Sequence, residues 1–308
     1  MTAATQSAAD RKLLGISLIV IAVFMMSVQD ALVKHYSGDL SLWQIFTLRG
    51  VLAIPLLLLV AMLMRQQQNI WQDAIQKWAL IRSAFMVLMY ISLYAAIPFL
   101  SLSVIAAGFY TGPIFVTLLS AFVLGEPVTR RGWLAIGMGF CGVLVILQPG
   151  GDAFTAWALI PVFGGLMYAL TNVTTRSKCQ TMPMAALALS LTVMLLLLGA
   201  VFSLILYYWQ GFGGAAEQLP FLLGQWSETG WTQWLLFLVL AFLTIGISIT
   251  LVGAYQVAPP PLVATFDYSY LVFVGVWDFL FFNTAPNVTT LCGMLLIIAA
   301  GLLVTVKR

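Results

Sequence analysis

The chain has 308 residues, 62% of them hydrophobic and 7% charged, where a soluble globular chain is about half apolar and about a quarter charged. The 13 Lys+Arg and 10 Asp+Glu cannot coat a soluble core with a polar shell. That excludes water-soluble enzymes and nucleic-acid binders, and apolar stretches near the ~20 residues needed to cross a bilayer recur along the chain.

Apolar runs bounded by charge, Pro/Gly or polar clusters predict ten membrane helices at 14–33, 42–64, 78–97, 103–124, 133–147, 157–175, 184–208, 234–257, 263–282 and 289–306. The first follows Asp10, Arg11 and Lys12; its run is too long for a signal peptide and no small-residue cleavage site follows, so it reads as an uncleaved helix. The second carries Arg49, the third opens near Arg82, and only Pro98 and two serines divide the third from the fourth. With the N-terminus in the cytoplasm, nearly every basic residue falls at the inner surface, leaving Lys34 outside and Arg49 within a helix. The positive-inside rule therefore sets both termini in the cytoplasm. The longest loop, 210–233, holds Glu217 and Glu228 but no Lys or Arg, which suits the outer side.

Ionisable groups inside a bilayer are costly and are functional candidates by default. Asp30 sits in the outer part of the first helix, beside Gln29, either as a substrate or proton ligand or paired with Lys34 at the i, i+4 spacing. Asp267 and Asp278 lie in the ninth segment, nearly three helical turns apart and so on one predicted face with Tyr270 and Trp277. Asp267 is the better substrate or proton site; Asp278, nearer the outer end, reads as structural or gating. Arg49 and Arg82 could each clamp a substrate carboxylate or neutralise an aspartate, and Arg82 lies close enough to the inner surface to snorkel. Glu126, with Arg130 and Arg131 close behind it, reads as a hairpin ion pair. In the fourth segment, Pro113 removes a helical hydrogen bond and frees the carbonyl of Phe109. Such interruptions survive where protein or water satisfies the backbone, so Phe109 and Tyr110 should face a cavity opposite Tyr268 and Tyr270. Trp43, Trp78, Trp133, Trp157, Trp231 and Trp234 fall near helix ends as interfacial anchors, whereas Trp277 is deeper.

Weak self-similarity pairs the two halves. Adding 159 sets Pro127 on Pro286, Gly142 on Gly301 and Phe109 on Tyr268; near the start of each half, adding 142 sets Asp30 opposite Asn172 and Lys34 opposite Arg176. Five helices per repeat, an odd number, turn the second copy upside down. The expected fold is an all-α polytopic membrane protein: a cytoplasmic tail (1–12), a first five-helix repeat (13–150) and a second, inverted one (151–308). Inverted repeats of this kind are a hallmark of alternating-access secondary transporters.

The run Leu-Gly-Glu-Pro-Val-Thr-Arg-Arg-Gly-Trp-Leu-Ala (124–135), the glycine-rich stretch 139–150 and Gln-Asp-Ala-Leu-Val-Lys (29–34) resemble an EamA repeat of the drug/metabolite transporter superfamily. The second half looks like a diverged copy, with Ala285 where the first has Glu126. The resemblance implies a ten-helix inner-membrane carrier of small organic solutes: amino-acid-like compounds, S-adenosylmethionine or riboflavin.

The three cysteines lie at no metal-ligand spacing and read as packing residues, and no phosphate-binding loop is present. No cofactor or metal is expected. The expected partners are a small-molecule substrate and membrane lipid, not nucleic acid, with proton coupling through a buried carboxylate. The competing class is a membrane-embedded enzyme acting on a lipid-like substrate.

Overall fold

The computed structural model describes residues 3–65, 68–100, 102–125, 130–147, 156–209, 213–283 and 288–305. The helices are α1 Ala3–His35, α2 Leu42–Leu63, α3 Ile70–Ala74, α4 Lys77–Ala96, α5 Leu102–Phe109, α6 Gly112–Val123, α7 Arg130–Leu147, α8 Leu159–Lys178, α9 Met184–Tyr208, α10 Gly213–Gln218, α11 Pro220–Leu223, α12 Trp231–Val257, α13 Pro260–Asp267, α14 Ser269–Phe282 and α15 Val288–Thr305. There is no strand among the described residues. Glu126, Pro127, Ala285 and Pro286 lie outside them, and with them the hairpin reading of Glu126.

Eight helical stretches are long and apolar enough to cross a membrane, two of which run through the α5–α6 and α13–α14 junctions. The remaining two expected segments correspond to α7 and α15, 18 residues each, which pack on one another. The chain is a multi-pass membrane protein. Its periphery carries Leu63, Phe122, Phe279 and Leu302, all exposed, which hydrocarbon solvates without penalty. Among structures missed by the apolar pattern are the short α3, α10 and α11, too brief to stand out from loop.

Between helices in lipid, close approach replaces the hydrophobic drive, and small residues permit it. The antiparallel α1–α12 pair closes through Gly15 against Ala258 and Gly246 against Met25, and α2–α9 through Gly50 against Leu196 and Gly199 against Thr47. The strongest pairings recur in exchanged form: α1 with α12 and α4 with α8, α1 with α14 and α8 with α6, α2 with α12 and α9 with α4. Their directions establish the inversion. α1 runs parallel to α14, since Ser27 meets Trp277 and Phe24 meets Phe273; α8 runs parallel to α5 and α6, since Gly108 meets Pro161 and Gly112 meets Gly165. The two interrupted segments are antiparallel to each other, because α13 packs on α6 and α14 on α5. Hence α1 and α8 point in opposite directions.

Both interruptions use the same local chemistry. At the first, Pro113 has no N–H to bond Phe109 and stands at the start of α6, while the Thr111 hydroxyl donates to the Gly108 carbonyl at 2.8 Å. At the second no proline intervenes; the Ser269 hydroxyl donates to the Phe266 carbonyl at 2.8 Å, and the backbone tightens to a Leu271 N–H to Tyr268 carbonyl bond of 3.1 Å. Tyr110 therefore corresponds to Tyr268 and Thr111 to Ser269, one residue out of step with the pairing of Phe109 and Tyr268 read from sequence. The helix α8 lies directly over the first break: a Cβ built on Gly165 would sit 2.6 Å from the Phe109 carbonyl oxygen and 2.9 Å from the Gly112 nitrogen.

Candidate functional site

A polar column crosses this bundle, built from residues that leave almost no surface to solvent or lipid. Near the end where α1 stops, the Tyr270 hydroxyl donates to Asp30 Oδ2 at 2.6 Å and the Tyr94 hydroxyl to Oδ1 at 3.1 Å. Tyr94 is itself oriented by the Gln29 amide, which donates to its oxygen at 3.1 Å, and Gln29 Oε1 accepts from Thr244 at 3.1 Å. Four helices, α1, α4, α12 and α14, thus fix one carboxylate. Arg49 on α2 stands beside this group, 1% exposed, its guanidinium 5.2 Å from the Phe46 ring centroid and 5.6 Å from that of Tyr90. Arg49 acts on Asp30 electrostatically, yet its Nη1 and Nη2 have no hydrogen-bond partner among the described residues.

The two interruptions meet at the middle of the column. The Tyr110 hydroxyl donates to the backbone carbonyl of Asp267 at 2.9 Å, with Asp267 Oδ1 at 3.5 Å. The carbonyl loosened by one break is therefore satisfied by a side chain from the other. The Tyr110 ring stacks on Tyr270 at 5.2 Å and lies 5.7 Å from Tyr268, while Phe109 touches Tyr168 at 5.1 Å and Tyr270 at 6.4 Å. A chain of contacts runs from Asp267 through Tyr110 and Tyr270 to Asp30. Asp267 is fully buried; among the described residues its Oδ2 has no hydrogen-bond partner and no cation forms an ion pair with it. The buried hydroxyls of Tyr168 and Tyr255 lie near enough to interact with it.

The remaining candidates separate from this centre. Lys34 pairs with Asp278 at 3.8 Å rather than with Asp30, because the parallel α1–α14 contact brings those two faces together. Asp267 and Asp278 do not share a continuous helical stripe, since the helix breaks between them at Tyr268. The Trp277 indole donates to Ser27 Oγ at 2.9 Å, a contact across the same α1–α14 seam. Arg82 does not snorkel: it is fully buried under α8, its Nε donating to Thr175 Oγ1 at 2.9 Å. Asn172 is buried on α8 with its amide nitrogen unpartnered among the described residues. His/Cys/Asp/Glu groups able to hold a metal are absent among the described residues.

Tyr94, Tyr168 and Tyr255 belong to the column and were not singled out from sequence. The available signal was a tyrosine inside an apolar span, whose hydroxyl needs a partner wherever it is buried. Tyr110→Phe keeps the ring stack and strands the Asp267 carbonyl. It should lower thermal stability in detergent by about 1–2 kcal/mol, the range of interhelical hydrogen bonds in membranes and of stranded buried acceptors. An unchanged melting temperature would remove the bond from the account.

The inverted pair of helical repeats brings its interrupted helices together beside buried carboxylates and Arg49, whose Nη atoms have no hydrogen-bond partner among the described residues, an arrangement characteristic of transporters. Residues 13–148 match the EamA-like transporter family. It is similar to the pseudopaline exporter CntI of Pseudomonas aeruginosa, 26% identical with 93% of this chain and 94% of the relative covered. It is 30% identical to a riboflavin transporter of Rhizobium johnstonii over 63% of this chain and 58% of the relative. An S-adenosylmethionine uptake transporter of Rickettsia prowazekii is 21% identical over 62% and 59%. A solved crystal structure superposes with a TM-score of 0.63 at 17% identity, covering 96% of this chain and 97% of the other. Family and relatives are transporters, not enzymes.

Proposed function

We propose that this protein carries a carboxylate-bearing small organic metabolite across the bacterial inner membrane by alternating access, with Arg49 receiving the carboxylate and Asp267 carrying a coupled proton. The observation that supports it most directly is Arg49: two buried guanidinium nitrogens without an acceptor among the described residues. A planar fork of donors is suited to a bidentate carboxylate, and Asp30 is already held by two tyrosines. Asp30, next to it, then offers a negative partner to an amine on the same solute, and the surrounding tyrosines offer stacking and cation–π faces. Asp267, with no countercharge among the described residues, suits a site that is neutral in one half of the cycle.

Both termini lie in the cytoplasm in this reading, with residues 13–150 and 151–308 as the two repeats and lipid around the exposed apolar rim. Amino-acid-like metabolites fit the Arg49 and Asp30 pair, and the relative that matches over nearly its whole length is an exporter of pseudopaline. The test is counterflow in proteoliposomes loaded in turn with labelled amino acids, S-adenosylmethionine and riboflavin. Saturable exchange of unmodified solute is expected for one of them. Arg49→Gln should weaken binding of that solute by roughly 30-fold, the equivalent of a ~2 kcal/mol charge-assisted bond. Full affinity in that variant would refute the assignment, as would reporter fusions placing the two termini on opposite sides.

A further inference from the structure

We propose that the transported solute carries two separate anionic groups, one received by Arg49 and the other by Arg82, with Tyr90 within electrostatic reach of both stations. The inference rests on the Arg49 reading above and extends it to a second cation that the first station does not use.

Arg82 lies two helical turns before Tyr90 on α4, so its Cα is roughly 12 Å away along the axis. Tyr90 interacts electrostatically with both arginines, and the Arg49 guanidinium sits 5.6 Å from its ring. Arg82 is fully buried. Its Nε donates to Thr175 Oγ1 at 2.9 Å, and that hydroxyl donates in turn to the Thr171 carbonyl at 2.8 Å. Its Nη1 has no acceptor among the described residues, and no carboxylate there forms an ion pair with it.

A second donor lies on the same side. Asn172 Nδ2 is buried and unpartnered among the described residues, and Asn172 stands four residues after Tyr168 and three before Thr175, hence on the α8 face that carries both. Tyr168 looks toward Asp267 and Thr175 toward Arg82. Asn172 thus joins the middle of the column to the Arg82 end. A clamp between α4 and α8 needs only the Nε bond to Thr175. The unused guanidinium nitrogen and the Asn172 amide are two buried donors with no partner among the described residues, and leaving such groups unsatisfied is costly. An incoming anion at this station would accept from Arg82 Nη1. The groups facing Arg82 are Tyr90, Thr175 and Cys179, so no carboxylate among the described residues competes for the place.

Reaching from the level of Tyr90, which the Arg49 guanidinium faces, to Arg82 two turns away takes a solute with its anionic groups at opposite ends of a chain on the order of 10 Å long. L-2-aminosuberate, an amino acid with a second carboxylate at the far end of its chain, has about this reach. L-2-aminooctanoate has the same chain length and lacks only that carboxylate. Binding of each to the full-length protein in lipid nanodiscs provides the test. Aminosuberate should bind at least tenfold more tightly, and Arg82→Gln should cancel that advantage while leaving aminooctanoate binding unchanged. Thr175→Val, which removes the clamp but keeps the guanidinium, should preserve the advantage. Equal binding of the two probes to the unaltered protein, or no binding by either, would overturn the proposal. So would an Arg82→Gln variant that weakens both alike, because that pattern marks a role in holding α4 on α8. Arg49→Gln separates the two readings: it should weaken both probes, and if it weakens neither, the failure belongs to the Arg49 station itself.

Discussion

Replacing Asp267 by Asn should abolish proton-driven accumulation of the solute while leaving solute exchange intact. The carboxylate is completely buried, its Oδ2 is unbonded and no cation pairs with it among the described residues. Held as an anion in that setting it would carry a large desolvation cost, so the proposed coupling cycle includes a neutral state. Asparagine reproduces the shape of that neutral state and cannot release a proton. Counterflow needs only the binding and reorientation of loaded carrier and should survive; accumulation against a gradient needs the proton to travel. For one proton per solute, each unit of pH difference supports about a tenfold concentration ratio, and the variant should show none. Measurement is by uptake into proteoliposomes with an imposed pH gradient, beside exchange at equal pH. Undiminished pH-driven accumulation by Asp267→Asn would show that the coupled proton is carried elsewhere.

The largest expected loss of stability comes from Gly165→Ala. The added methyl would lie 2.6 Å from the Phe109 carbonyl oxygen, 2.8 Å from Thr111 Oγ1 and 2.9 Å from the Gly112 nitrogen. Two of those three atoms are backbone at the helix break and cannot swing aside as a side chain can. Either α8 moves away, losing the contacts that seat Tyr168 beside Asp267, or the break itself is distorted. Overpacking of this kind costs about 1–3 kcal/mol, which should appear as a clear fall in melting temperature and a loss of substrate binding. Gly275→Ala is the matched control. A methyl added there would meet nothing within 4 Å, and alanine in a helix is favoured over glycine by up to about 1 kcal/mol. Equal effects of the two substitutions would remove the crowded crossing as the cause.

Composition and hydropathy made the membrane class, most spans and the first helix break legible in the sequence. Pro113 announces its own consequence, because a missing N–H is a covalent fact. The second break has no such marker: Ser269 and the tightened turn at Tyr268 become visible only once Tyr110 arrives from the other half to take the Asp267 carbonyl. That is why a sequence offset that aligned Gly142 with Gly301 placed Tyr268 one residue out. Helical spacing alone was equally insufficient for Lys34. It stands one turn after Asp30, yet its partner is chosen by the parallel seam with α14, which carries Asp278. Arg82 lies close to the start of α4, and distance from a helix end was a poor guide to burial because α8 covers it with Thr171 and Thr175. The tyrosines that complete the column come from α4, α8 and α12, and long-range convergence of this kind leaves no periodic trace along the chain.

The bond from Tyr110 to the Asp267 carbonyl also bears on leakiness. Neither pivot can shift by itself without stranding a buried hydroxyl or carbonyl, a loss of roughly 1–3 kcal/mol. In the proposed alternating-access cycle the bond would serve as an interlock: movement at one pivot would oblige the other to find a new arrangement in the same stroke. A machine so constrained spends little time with both doors ajar, and the ion gradients maintained by the cell are spared a short circuit.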